Sequence, residues 1–249
     1  MTEAESGTLA QSGFHVPPRH KPPRKSGLVL QAMLLVMGAT TAYVAYINFA
    51  YLHFLESVRA GEYISQAGYF DNAEPIEELF ASMPSAMNGS FLFAALSYLV
   101  FVYCAATNLE NARAVDFRLW PNGAVFFSLI PIANFYLIYY VIRVIWVASR
   151  NPLQGKEEPS SQLVLGWVFF LAGVLGTRVV DNMFVDALTN EDLERATNAA
   201  WLNVAATTSV VVSVILLTIV VRDIVRGQAR WREASAQQET RASGAPATA

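Results

Sequence analysis

AAWLNVAATTSVVVSVILLTIVV, residues Ala199–Val221, contains no Asp, Glu, Lys or Arg and is crowded with Val and Ile. A hydrocarbon layer of about 30 Å takes roughly 20 helical residues to cross, a length this run meets. Inside lipid every backbone N–H and C=O needs an internal partner, so an isolated apolar run of this kind crosses as an α-helix. Three more runs meet the same ruler: Leu28–Leu55, Met87–Thr107, and Leu163–Phe184, the last with Arg178 and Asp181 near its end. A further apolar segment, Ala124–Ala148, is interrupted by Pro131 and Asn134 and carries Arg143. The fold class expected is all-α, a polytopic transmembrane helical bundle with four full spans and one interrupted membrane segment.

Composition points the same way. The chain of 249 residues is 54% hydrophobic and 15% charged, with a mean hydropathy of +0.34; a soluble domain carries about 25% charged residues. A net charge of −3 offers nucleic acid no polyelectrolyte footprint. One cysteine, Cys104, excludes an internal disulfide and every multi-cysteine metal or redox motif. The histidines, His15, His20 and His53, form no ligand spacing. No zinc-protease, nucleophile-elbow, P-loop or dinucleotide motif is present, so no catalytic residue, metal or cofactor is expected. Glu74, Glu77 and Glu78 make an ordinary solvated helix face.

Residues 1–27 hold Pro17, Pro18, Pro22 and Pro23 among Arg19, Lys21, Arg24 and Lys25, a composition that cannot offset its ordering entropy, and are expected to be a disordered basic tail. The apolar run after it is too long for a signal-peptide core of about 7–15 residues and is read as an uncleaved signal anchor. The transmembrane domain is expected over 28–232, followed by a disordered Gln, Ala, Ser and Pro tail over 233–249. In the acidic loop Glu56–Ala86, Pro75 suits a first helical turn. Ile76, Leu79, Phe80 and Met83 then line one face of a short helix at the membrane surface. In the second acidic stretch Thr189 and Asp192 form a weak capping box, which starts the last helix near Asn190.

Cytoplasmic flanks accumulate Lys and Arg. The basic leading tail and Arg222, Arg226, Arg230 and Arg232 after the last span therefore place both termini in the cytoplasm, which requires an even number of crossings. Arg113, Arg118, Arg150 and Lys156 flank the interrupted segment on both sides, as a re-entrant turn at Pro131–Asn134 requires. The apolar run Phe135–Ile142 is the argument for a complete fifth crossing.

Pro131 removes a backbone donor and clashes with the preceding turn, and Asn134 can hydrogen-bond the freed groups. That break is either a structural kink or a broken helix lining a substrate or ion path. Arg178 and Asp181, at i and i+3, share a helix face and are an intramembrane ion-pair candidate. Arg143 finds its simplest counter-charge in a phospholipid phosphate. Ala205, Ser209 and Ser213, and Gly38 with Ala42, recur every fourth residue and are expected to be internal packing seams.

Asn108-Leu109, Pro121, Ile130-Pro131-Ile132-Ala133-Asn134-Phe135, Arg143 and Trp146-x-Ala148-Ser149 together resemble the uncharacterised bacterial membrane family called domain of unknown function 4328. The resemblance implies a multi-span inner-membrane protein and no particular activity. Where the family pattern turns polar after the Asn, this chain has Ile138, Tyr140, Val144 and Val147, which argues against the pattern's interfacial amphipathic helix. The function expected is that of a non-enzymatic component of a bacterial inner membrane, in contact with the lipid bilayer, that binds or organises a protein partner and can self-associate. A small transporter or channel using the Pro131–Asn134 break is the alternative, and an intramembrane enzyme comes third.

Because neither tail has an apolar face, a chain lacking both Met1–Gln11 and Gln237–Ala249 should reach the membrane at full-length levels. Membrane fractionation with immunoblotting checks this, and loss of the membrane-extracted band would make the tails structural.

Overall fold

A computed structural model describes residues 23–61, 74–112, 114, 119–130, 134–150, 160–189 and 193–242. Among the described residues there are six α-helices and no strand: α1 (Arg24–Arg59), α2 (Glu74–Asn111), α3 (Pro121–Leu129), α4 (Asn134–Arg150), α5 (Ser161–Thr189) and α6 (Leu193–Ala242). Four stretches are long and apolar enough to cross a membrane: Arg24–Arg59, Ser85–Asn111, Ser161–Phe184 and Leu193–Trp231. α3 and α4, of 9 and 17 residues, reach only about 14 and 26 Å at 1.5 Å per residue.

Element boundaries differ from the sequence expectation at several ends. α1 begins at Arg24, inside the expected tail, because Pro23 supplies the first carbonyl, which accepts from Gly27 N–H at 2.7 Å and Ser26 Oγ at 3.2 Å. Its far end is closed by Gly61, whose φ of 79° lets its N–H turn back to Val58 O. The expected surface helix around Pro75 and the second span are one element, since α2 runs unbroken through Pro84; the side chains of Ile76, Leu79, Phe80 and Met83 lie outside the described residues. α6 continues ten residues beyond Arg232. Glu, Ala, Gln and Arg are good helix formers, and a helix propagates more readily than it nucleates. Its start falls at Leu193; Asn190 and Asp192 lie outside the described residues.

The chain divides into two compact units. Unit 1 comprises Met1–Ala32, Ala95–Leu163 and Thr218–Ala249, and unit 2 comprises Met33–Ala94 and Val164–Leu217. Unit 2 holds parts of α1, α2, α5 and α6. Val44 and Ile47 of α1 form a buried cluster with Met87 of α2. Leu55 of α1 and Ala196 of α6 form another, flanked by Tyr51, Phe54 and Leu193.

In unit 2 α5 approaches α6 closely, and glycine permits it. A Cβ at Gly173 would overlap Val210 and come within 2.9 Å of Ala206 O, and one at Gly176 would lie 2.8 Å from the Ala206 Cβ. Gly38 of α1 meets Val214 in the same manner. The expected seam on α6 is therefore shifted. Ala205 is exposed and Ser209 half-buried, while Ala206, Val210, Ser213 and Val214 face inward. One residue is about 100° of helix rotation, enough to turn the stripe away from α5.

Several hydroxyls within the spans are closed locally, although the buried Ser213 Oγ finds no partner among the described residues. Thr41, Thr107 and Thr207 donate to the carbonyl four residues earlier at 2.7–2.8 Å. The fully buried Asn48 donates to Val44 O at 2.7 Å and accepts from Asn203 Nδ2 at 3.0 Å, which ties α1 to α6 within unit 2.

Gly173→Val should lower the melting temperature of the detergent-solubilised protein, because overpacking a tight contact costs about 1–3 kcal/mol. Gly89→Ala, where an added Cβ meets nothing within 4 Å, should leave it unchanged or raise it by the Ala preference of about 0.5–1 kcal/mol. Thermal unfolding of both variants checks the contrast.

Candidate functional site

The convergence of buried polar groups in unit 1 lies at Gln228. Along α6, Val221, Ile224, Gln228 and Trp231 follow at i, i+3, i+7 and i+10, so a glutamine occupies a core position among apolar residues. All four are buried. Its Nε2 donates to Ser149 Oγ of α4 at 3.1 Å and to Ala105 O of α2 at 3.3 Å, and its Oε1 accepts from Asn108 Nδ2 at 3.2 Å. Both amide hydrogens and the carbonyl are thus engaged, where an unpaired buried group would cost about 1–3 kcal/mol. Gly227 makes the approach possible, since a Cβ there would overlap the Ser149 carbonyl oxygen. Three helices are joined by one side chain.

Trp146, one turn before Ser149, is 1% exposed, and its Nε1 finds no acceptor among the described residues. The Arg150 guanidinium lies 4.8 Å from the centre of its ring, within cation–π range. A second link joins α2 to α3. Ser128 donates to Ala124 O at 2.9 Å, so the Tyr98 hydroxyl donates to Ser128 Oγ at 3.3 Å. α3 opens with Pro121 at its first position and is stacked there by Trp120, whose indole covers Gly123.

The sequence-predicted residues are distributed as follows. Asn108 and Ser149 meet through Gln228, Leu109 and Trp146 are buried beside them in chain order, and Ile130 ends α3 in an extended conformation. Pro131 and Ala133 lie outside the described residues, and of Asn134 only its place at the start of α4 is described. Arg143 is exposed, on the face of α4 that also shows Tyr136, Tyr140 and Arg150, while Val141, Ile142, Ile145 and Trp146 are buried. α4 is therefore amphipathic, contrary to the expectation from Ile138, Tyr140, Val144 and Val147: the polar stripe needs only Tyr140 and the two arginines at the correct spacing. Arg178 and Asp181 are exposed on α5, and among the described residues of unit 2 Arg195 pairs instead with Asp186 at 2.8 Å. Gln228 was missed as a site residue; its signal was a lone amide at an apolar heptad position. Among the described residues no three His, Cys, Asp or Glu side chains gather as a metal would need.

Four membrane-crossing helices and a polar node closed on itself define a multi-span helical membrane protein. More narrowly, the chain belongs to the DUF4328 family, a domain of unknown function, which it matches over residues 75–226. Asn108 and Ser149 fall inside that match and Gln228 two residues beyond it. No curated protein and no solved structure matches the chain.

Gln228→Leu and Asn108→Leu should each destabilise the solubilised protein by about 1–3 kcal/mol, and the double variant should cost less than the two together, because one hydrogen bond is shared. A thermal or denaturant double-mutant cycle measures the coupling, and strict additivity would dissolve the node.

Proposed function

We propose that this protein is a non-enzymatic component of a bacterial inner membrane that binds or organises a protein partner, with both termini cytoplasmic. The observation that carries the reading is that three buried polar side chains of unit 1 close on one another, whereas its described arginines are exposed. Gln228, Asn108 and Ser149 engage each other, and Arg143 is exposed. A transport path through the Pro131–Asn134 break would gather Arg143 and free polar ends around an interior cavity instead. Trp120 just before α3, Phe126 on α3 and Tyr136 on α4, exposed by 63%, 63% and 68%, supply a surface for a partner helix. The exposed Ala205 leaves α6 able to self-associate.

Chain path supports the orientation. The described residues between Ala95 and Leu163 belong to unit 1, as do the described start of α1 and end of α6. α3 and α4 pack against each other as two short helices, which favours a re-entrant hairpin over a fifth crossing. Of the charged side chains described in unit 1, which holds the described ends of α1 and α6, seven are basic and three acidic, the balance that cytoplasmic flanks carry.

Photo-crosslinking residues placed at Trp120 and Tyr140 in native membranes test the partner reading. A discrete protein adduct supports it. Adducts to lipid alone, together with solute or ion flux through the reconstituted protein, would overturn it in favour of a transporter. For the orientation, with Cys104 replaced by Ala, single cysteines at Ser160 and Ser235 should be shielded from an impermeant thiol reagent in intact cells while one at Ser65 is labelled. Labelling at Ser160 would establish a fifth crossing.

A further inference from the structure

The second half of α6 carries a basic stripe that the polar node does not use. Arg222, Arg226 and Arg230 lie at i, i+4 and i+8, all exposed, opposite the buried Ile224, Gly227, Gln228 and Trp231. None of the three has an ion-pair partner among the described residues.

Two features say what such a stripe meets. The first is its helical line. Trp201, Thr208 and Ile215, at 21, 14 and 7 residues before Arg222, are exposed too, and seven residues are nearly two full turns. The arginines therefore continue the outward, lipid-facing line of the apolar run. The second is depth. Ala199–Val221 covers about 33 Å, slightly more than a hydrocarbon core of about 30 Å. Arg222 thus stands where the hydrocarbon ends. The stripe then extends about 12 Å further, across the headgroup layer and just past it.

Arg143 repeats the pattern on α4. It is exposed between Val141, Ile142, Val144 and Ile145, without an ion-pair partner among the described residues, one turn from the stacked pair Tyr136–Tyr140 with ring centres 6.4 Å apart. An arginine beside an apolar helix face with no carboxylate is stabilised by reaching phosphate or water at the interface. α4 and α6 touch where Gly227 meets the Ser149 carbonyl, which brings these two basic helices together in unit 1.

We propose that unit 1 is a binding surface for anionic phospholipid headgroups, with Arg222, Arg226, Arg230 and Arg143 as the charged contacts. The guanidinium matches a phosphodiester in charge and in its paired N–H donors. The surface is independent of the partner reading and holds whether or not a protein adduct is found.

The test is native mass spectrometry of the full chain released from micelles holding equal phosphatidylglycerol and phosphatidylcholine with identical acyl chains. Wild-type protein should retain phosphatidylglycerol preferentially. Each single Arg→Gln change at 222, 226 or 230 should weaken that preference about fivefold and the triple change roughly 100-fold, as expected from the attraction of one basic side chain to an anionic headgroup layer. Arg143→Gln should weaken it by a similar single step, and Arg178→Gln, in unit 2, should not move it. Circular dichroism and unaltered melting in phosphatidylcholine alone show that the variants are folded, and the single changes serve if the triple variant is not. Equal retention of the two lipids by wild-type protein, or an undiminished preference in the triple and single variants, would overturn the proposal. So would loss of the preference to inorganic phosphate at matched ionic strength, which would make the arginines a site for free anions.

Discussion

In hydrocarbon, and equally in a packed protein interior, a polar group without a partner has no water to fall back on, and this constraint organises the protein from backbone to core. It makes the spans helical. It also disposes of the hydroxyls within them, since Thr41, Thr107 and Thr207 return their hydrogens to the preceding turn. Where a side chain is too long or has too many donors for that local solution, the constraint becomes a tertiary bond. Asn48 uses one donor on its own helix and offers its carbonyl to Asn203. Gln228 has no local partner and so draws α2 and α4 to α6.

Those cross-helix bonds require short distances between backbones, which explains the placement of glycine. Gly173 and Gly176 let α6 approach α5 in unit 2, and Gly227 does the same for α4 in unit 1. In lipid, where apolar side chains gain nothing by leaving an apolar solvent, such close packing supplies much of the attraction between helices. Among the described residues two buried groups escape closure, Trp146 Nε1 and Ser213 Oγ, although the Trp146 ring is used by Arg150.

Charge is separated from this interior. Arg143 and Arg150 of α4 and Arg222, Arg226 and Arg230 of α6 are exposed, and the amphipathic α4 presents Tyr136, Tyr140 and its arginines on one face while Val141, Ile142 and Ile145 join the core. A helix of 17 residues with that division suits the edge of a membrane better than its centre, because its polar face would otherwise lie in hydrocarbon.

Membrane insertion, all-helical architecture and the number of long spans were legible in the sequence, because each follows from local quantities: run length, the absence of charge and the cost of unpaired backbone. Family membership was legible too, from Asn108, Pro121, the Ile130–Phe135 stretch, Trp146 and Ser149. Which of those residues touch was not. Asn108 and Ser149 are bridged by Gln228, 120 and 79 residues away in the chain, and no local rule relates positions so far apart. The seam on α6 was legible as a stripe of small residues but not in its rotation, since Ala205 and Ala206 are chemically the same and only the presence of Gly173 and Gly176 opposite decides which one faces inward. Composition determined which segments enter lipid; the close approach of backbones, set jointly by several helices, decided which polar groups meet inside the protein.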